Sequence, residues 1–123
     1  MQKILSILSL AILMTITHVA MAQKAETIQL EQTEGAFTQK SLTLEAGKAY
    51  IFEVSNKDVD RQLGFVIAPK GKPEQAHHIP EAYLAAAIKK GEVSSSKEVV
   101  LEKGEYIYFC PLNPTPQYTL VVK

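Results

Sequence analysis

Cys110 is the one cysteine of the 123-residue chain. It stands between an aromatic run that includes Tyr106, Tyr108 and Phe109 and a stretch carrying Pro111, Pro114 and Pro116. No disulfide can form within such a chain. In an oxidising compartment a lone thiol is a metal ligand, a reactive group, an intermolecular bridge or a buried inert side chain. His77 and His78 are the only histidines after residue 22. Imidazole suits copper, zinc and nickel, and neighbouring histidines can share an ion, but Glu74 or Glu81 would have to complete that site. The competing reading is a pair of solvated loop residues. A Cys–His pair joining Cys110 to either histidine has no local support. No glycine-rich phosphate loop, Gly-x-Ser-x-Gly elbow or His-Glu-x-x-His pattern occurs. Ser94, Ser95 and Ser96 are a polar approach to a strand, and no enzyme activity is expected.

The elements that must position these residues are mostly strands. Residues 26–31 alternate around Ile28 and Leu30, 41–44 form a short run, and 49–55 put Tyr50, Phe52 and Val54 on one face. Residues 63–68 are continuously apolar up to Pro69, as expected of a strand buried on both faces. Residues 97–102, 106–110 and 117–122 complete the set. Period-two geometry puts Tyr106, Tyr108 and Cys110 on one face, beside Tyr118, Leu120 and Val122. Short strands between Gly, Pro and Asn turns predict an all-β antiparallel sandwich or barrel. One segment departs from this. Pro80, the Ala85–Ala87 cluster, Lys89, Lys90 and Gly91 are helix start and stop signals. They predict a short inserted helix near 80–90 that docks through Tyr83, Leu84, Ala87 and Ile88. The prolines after Cys110 fix three backbone angles and remove three donors. That makes either a stiff frame for a ligand or protection of a sheet edge.

Residues 1–22 read as a signal peptide: Lys3 is followed by an apolar stretch, 4–16, and by the small-x-small site Ala20, Met21, Ala22. The stretch is short of the ~20 residues that a membrane span needs. A domain of residues 23–123, exported to the periplasm or secreted, is therefore expected, with no membrane span after cleavage. It is long enough to fold without disulfides. Without Lys3 it has 12 basic against 13 acidic residues and no basic stripe, so nucleic acid is not an expected partner. All three methionines fall within residues 1–22.

The aromatic strand ending Gly104, Glu105, Tyr106, Ile107, Tyr108, Phe109, Cys110, Pro111, together with the middle segment from Asn56 through Arg61 and Gln62 to Phe65, resembles the cupredoxin family of exported blue-copper sandwiches. The resemblance covers most of residues 23–123. It implies a Greek-key β-sandwich of about seven to eight strands, with copper as the family's cofactor in a His₂Cys centre with a weak axial ligand. In the family the middle segment usually reads His-Asn-x-x-Phe, and a second histidine follows the cysteine. Cys110 matches the thiolate and Phe65 matches the phenylalanine. Arg61 stands at the first histidine and Gln62 at the asparagine. Asn113 and Thr115 occupy the region of the second histidine, and Gln117 is the only approach to an axial ligand. Carboxamides and hydroxyls are poor substitutes for imidazole, and a guanidinium repels a metal ion. The resemblance thus implies a degenerate type 1 site. If the fold brings Arg61 to Cys110, the guanidinium would favour the thiolate; a solvent-facing Arg61 beside Asp58 or Asp60 is the alternative.

Three functions follow as expectations. The first is an exported cupredoxin-like domain that serves as a binding or interaction module. The second is an atypical copper-binding or electron-transfer protein that uses Cys110, or a loose site at His77 and His78. The third is a thiol-redox protein, which would include a Cys110-linked dimer. The partner, protein or metal ion, is not identified by the sequence.

Overall fold

The structure is a computed structural model that describes residues 24–123; the signal peptide expected at 1–22 lies outside the described residues. Among the described residues, nine strands form two packed sheets: β1 (Glu26–Thr33), β2 (Ala36–Phe37), β3 (Ser41–Leu44), β4 (Ala49–Asn56), β5 (Val66–Pro69), β6 (Val93–Ser95), β7 (Val99–Val100), β8 (Gly104–Phe109) and β9 (Tyr118–Val122). One sheet runs β2-β1-β4-β6, with β7 also on β4; the other runs β3-β9-β8-β5. The expected all-β sandwich is present. It differs from a purely antiparallel one, since β1 pairs with β4 and β3 with β9 in parallel. The chain crosses between the sheets, so strands that are neighbours in one sheet are often not consecutive and can run the same way.

Alternation decides what is buried. In β4, Tyr50, Phe52, Val54 and Asn56 point into the sandwich; in the β8–β9 pair, Tyr108, Cys110, Tyr118, Leu120 and Val122 do the same. Phe37, Phe52, Phe65, Tyr108 and Tyr118 form a connected aromatic core with ring centroids 5.3–6.2 Å apart. Such pairs stabilise by about 0.5–1.5 kcal/mol beyond the area they bury. Two phenols inside this core are tethered to backbone: Tyr108 donates to the Gln39 carbonyl at 2.7 Å, and the Phe37 N–H donates to the Tyr118 hydroxyl at 3.2 Å. On the opposite face of the second sheet, Val66, Ala68 and Ile107 form a smaller cluster with Phe109 packed against it. Of the run 63–68, residues 65–68 are buried on both faces while Gly64 is half-buried, and β5 itself begins only at Val66.

The inserted helix is absent. Residues Gln75–His77 and Pro80–Ala82 are single 3₁₀ turns, and beyond them the 83–92 stretch is irregular or turn-like. Its backbone groups find partners on the sandwich instead. Ala85 N–H donates to the Ser95 carbonyl, Ile88 and Leu63 exchange both bonds at 2.9 Å, and Gly91 N–H donates to Asn56 O. An isolated helix of that length is marginal in water, so the edge pairings prevail over alanine propensity. Of the four predicted docking residues, Ile88 is buried and Leu84 half-buried, while Tyr83 and Ala87 are exposed. The expected strand 97–102 is also shorter, reduced to β7. Ser96 interrupts that edge: its N–H donates to the Phe52 carbonyl while its hydroxyl accepts the Phe52 N–H, both at 2.9 Å.

Candidate functional site

Four segments meet at one end of the sandwich: the end of β1 with the turn into β2, the end of β4 with the loop after it, residues 63–65, and the loop from Cys110 to Gln117. Cys110 is almost fully buried where they converge. Its Sγ accepts two backbone hydrogen bonds, from Gly64 N at 3.3 Å and from Asn113 N at 3.2 Å. Its own N–H donates to the Thr115 hydroxyl at 3.1 Å, and that hydroxyl donates to the Pro116 carbonyl. The proline loop is stiff, and Thr115 supplies inside it the acceptor that the Cys110 N–H needs.

Asn113 is the second member. It is 1% exposed, and all of its side-chain bonds run to the β1–β2 region. Its Oδ1 accepts from Gly35 N at 3.0 Å; its Nδ2 donates to the Thr33 carbonyl at 3.0 Å and to Gln32 Oε1 at 3.4 Å. Gln32, fully buried, donates through Nε2 to the Gly64 carbonyl at 2.7 Å. Backbone N–H groups only donate and carbonyls only accept, so these partners fix both amide orientations. A third carboxamide lies beside them. Asn56 accepts the Val59 N–H at 2.9 Å and donates to the carbonyls of Val59, Arg61 and Ile88. Its bonds hold a loop in which Asp58 takes a left-handed backbone, φ 57°.

The other candidates lie elsewhere. Arg61 is half-exposed, and its Nη2 is 3.1 Å from Glu34 Oε1. Gly64 is the residue of that segment hydrogen-bonded to the thiol, and Leu63 before it is fully buried. Arg61 and Gln62 instead line a surface groove with Asp60, Lys89 and Lys90. Phe65 is an aromatic core residue. Gln117 is exposed. His77 is exposed as well, whereas both ring nitrogens of His78 are engaged, Nδ1 with Tyr83 Oη and Nε2 with the Pro73 carbonyl, each at 2.7 Å. A carbonyl can only accept, so Nε2 carries the proton and the neutral ring's Nδ1 accepts from the phenol. The same ring sits edge-on to Phe109, on the face of β8 opposite to Cys110. His78 therefore fastens the 70–92 connection to the sheet, and the histidine pair and the thiol are on different faces. Among the described residues no group of three or more His, Cys, Asp or Glu side chains is placed to hold a metal ion, and no buried side-chain nitrogen or oxygen lacks a partner.

Gln32 and Asn56 are not singled out as site residues by the sequence. The available signal was register: Gln32 and Asn56 continue the inward rows Ile28, Leu30 and Tyr50, Phe52, Val54 by one more step of two. They also lie opposite each other in the parallel pair.

A two-sheet sandwich with a buried thiol at the loop-bearing end is the architecture of small copper proteins, and sequence comparison agrees. The profile of the cupredoxin-like domain matches residues 6–122, and the chain belongs to that family. Solved structures share the fold. Auracyanin A, a "blue" copper protein from Chloroflexus aurantiacus, superposes with a TM-score of 0.66 at 19% identity, covering 81% of this chain and all of that one. Auracyanin B gives 0.65 at 20% identity, with 80% and 89% covered. A copper-containing nitrite reductase from Thermus scotoductus gives 0.53 at 18% identity, covering 81% of this chain and 23% of that one. No curated protein matches the sequence.

Proposed function

We propose that this domain is an exported, non-enzymatic member of the cupredoxin-like family that holds no type 1 copper and acts as a binding module. The observation that carries the reading is the donor set at Cys110. A type 1 centre needs two imidazoles beside the thiolate. Here the groups that touch the thiol are the backbone N–H groups of Gly64 and Asn113, which donate to it, and the Asn113 carboxamide has its oxygen and nitrogen both bonded to β1–β2 groups. Those residues do not fit the metal. An arginine in an exposed ion pair adds nothing to the site.

The binding-module part of the reading is supported by the surface over this end. Pro111, Tyr83, Ala86 and Ala87 line an apolar groove, and Leu112, next to Pro111, is exposed at 49%. Exposed apolar residues gathered in one place suit contact with another macromolecule better than solvent. Titration of the purified mature protein with Cu(II) tests the metal part. The expected result is no intense visible thiolate-to-copper band. A stoichiometric band that disappears in Cys110→Ser would overturn the reading in favour of an atypical copper protein. For the surface, crosslinking in the native compartment should yield an adduct that Leu112→Glu abolishes; an adduct indifferent to Leu112 removes that surface from the proposal.

A further inference from the structure

The hydrogen bonds at Cys110 close on themselves. Gly64 N–H and Asn113 N–H both donate to Cys110 Sγ; the Gly64 carbonyl accepts from Gln32 Nε2, and Gln32 Oε1 accepts from Asn113 Nδ2. The ring passes through three separate segments and the thiol, and every member is at least half-buried. Two further bonds, to the Thr33 carbonyl and from Gly35 N–H, tie Asn113 to the β1–β2 turn.

We propose that the Gln32–Asn113 carboxamide pair is a positioning device that cross-links the loops around Cys110 without a metal. A metal ion bound by residues from separate loops fixes them relative to one another, and binding free energy then becomes folding free energy. This ring connects β1, the 63–65 segment and the proline loop through amide groups and the thiol. A carboxamide suits the task because it donates and accepts at once, so one side chain can satisfy a backbone N–H and a carbonyl of another segment together. Asn113 does this with Gly35 and Thr33, while Gln32 spends one end on Gly64 and the other on Asn113. The consequence is a proline loop held in place in the metal-free protein, with the thiol enclosed beneath it. The inference rests on the metal-free reading above but is independent of any partner.

Amide hydrogen exchange on the chelator-treated wild-type protein is the first test, and it needs no variant. The Gly64 and Asn113 amides should be protected to within about tenfold of the amides of β8, since all lie in one cooperative unit. Exchange as fast as an exposed loop overturns the proposal. If added copper then restores protection together with a visible band, the metal-free reading fails as well; unprotected amides without copper uptake sink the ring alone.

The second test uses Gln32→Ala, Asn113→Ala and the double variant. Each single variant should speed exchange at Gly64 and Asn113, and alkylation of Cys110 by a small thiol reagent, by roughly tenfold or more, the effect of removing one buried hydrogen-bond partner. The double variant should exceed the more affected single variant by no more than about twofold, because members of one network are not additive. Gln32→Glu should not rescue, since it keeps the shape and the acceptor but removes the donor to Gly64. Multiplicative effects in the double variant, or rescue by Gln32→Glu, would mean independent packing roles and overturn the ring.

Discussion

Asn56→Ala should be among the most damaging single substitutions at the loop-bearing end, although Asn56 touches neither the thiol nor the surface. The side chain is 2% exposed and makes four hydrogen bonds, one as acceptor at 2.9 Å and three as donor at 3.1–3.3 Å. Truncation strands the Val59 N–H and carbonyl beside a side chain that is itself fully buried. The Ile88 carbonyl keeps its bond from Leu63 N. Each buried group left without a partner costs about 1–3 kcal/mol, so two of them give a loss of roughly 2–6 kcal/mol. At about 4–8 °C per kcal/mol for a domain of this size, that corresponds to a fall in Tm of at least about 8 °C. Urea titration is the assay; the midpoint should fall with the m-value unchanged. Asn56→Asp supplies a second arm. It keeps the acceptor for Val59 N–H but turns a carboxylate toward three carbonyl oxygens, so at neutral pH it should be no more stable than the alanine variant. The reasoning is refuted if Asn56→Ala loses less than about 1 kcal/mol, the worth of a single ordinary hydrogen bond, or if Asn56→Asp matches the wild type.

Three other outcomes follow from the same contacts. Burial and the neighbouring Tyr118 raise the Tyr108 phenol from 10.0 to about 12. The folded state therefore holds that proton more tightly than the unfolded state, and the stability this contributes, whole below 10.0, is lost as pH rises through about 12. Tyr108→Phe should flatten that alkaline loss in a pH series of denaturant midpoints, and an unchanged slope contradicts it. His78→Ala removes both 2.7 Å bonds and the edge contact with Phe109. It should cost about 1–2 kcal/mol in a melt, against less than ~0.5 kcal/mol for exposed His77→Ala; equal effects would show that His78 fastens nothing. Arg61→Ala should leave the rate of Cys110 alkylation unchanged across pH, because Glu34 holds the guanidinium at the surface. A slower reaction in that variant would bring Arg61 back to the thiol.

Much of the fold is written in period two. The inward rows of β4, β8 and β9 follow directly from alternation of apolar and polar residues, and the doubly buried run at 65–68 from its lack of alternation. The segment 80–91 misleads because its cues are local while its partners are distant. Nothing between Pro80 and Gly91 indicates that Leu63, Ser95 and Asn56 will offer backbone groups to Ile88, Ala85 and Gly91. The parallel pairings are hidden for a related reason: they depend on where the chain crosses between sheets, and strand composition does not record this.

The site is harder to read because its chemistry lies in residues that look like the polar ends of strands. Apart from Ser96, the buried polar residues among those described are Gln32, Asn56 and Asn113, all carboxamides and all at the Cys110 end. A sandwich end made of loops has both N–H and carbonyl groups turned inward, and each needs a partner once water is excluded. A cation can satisfy only the acceptors there, and an apolar side chain neither kind. A carboxamide satisfies both: Asn113 takes the Gly35 N–H and the Thr33 carbonyl, Asn56 the Val59 N–H and the carbonyls of Val59, Arg61 and Ile88, and Gln32 the Gly64 carbonyl. Cys110 fits this pattern as an acceptor: its sulfur takes the two N–H groups, of Gly64 and Asn113, that the carboxamides do not reach. The thiol can thus be retained for what it accepts, independently of any metal it could bind.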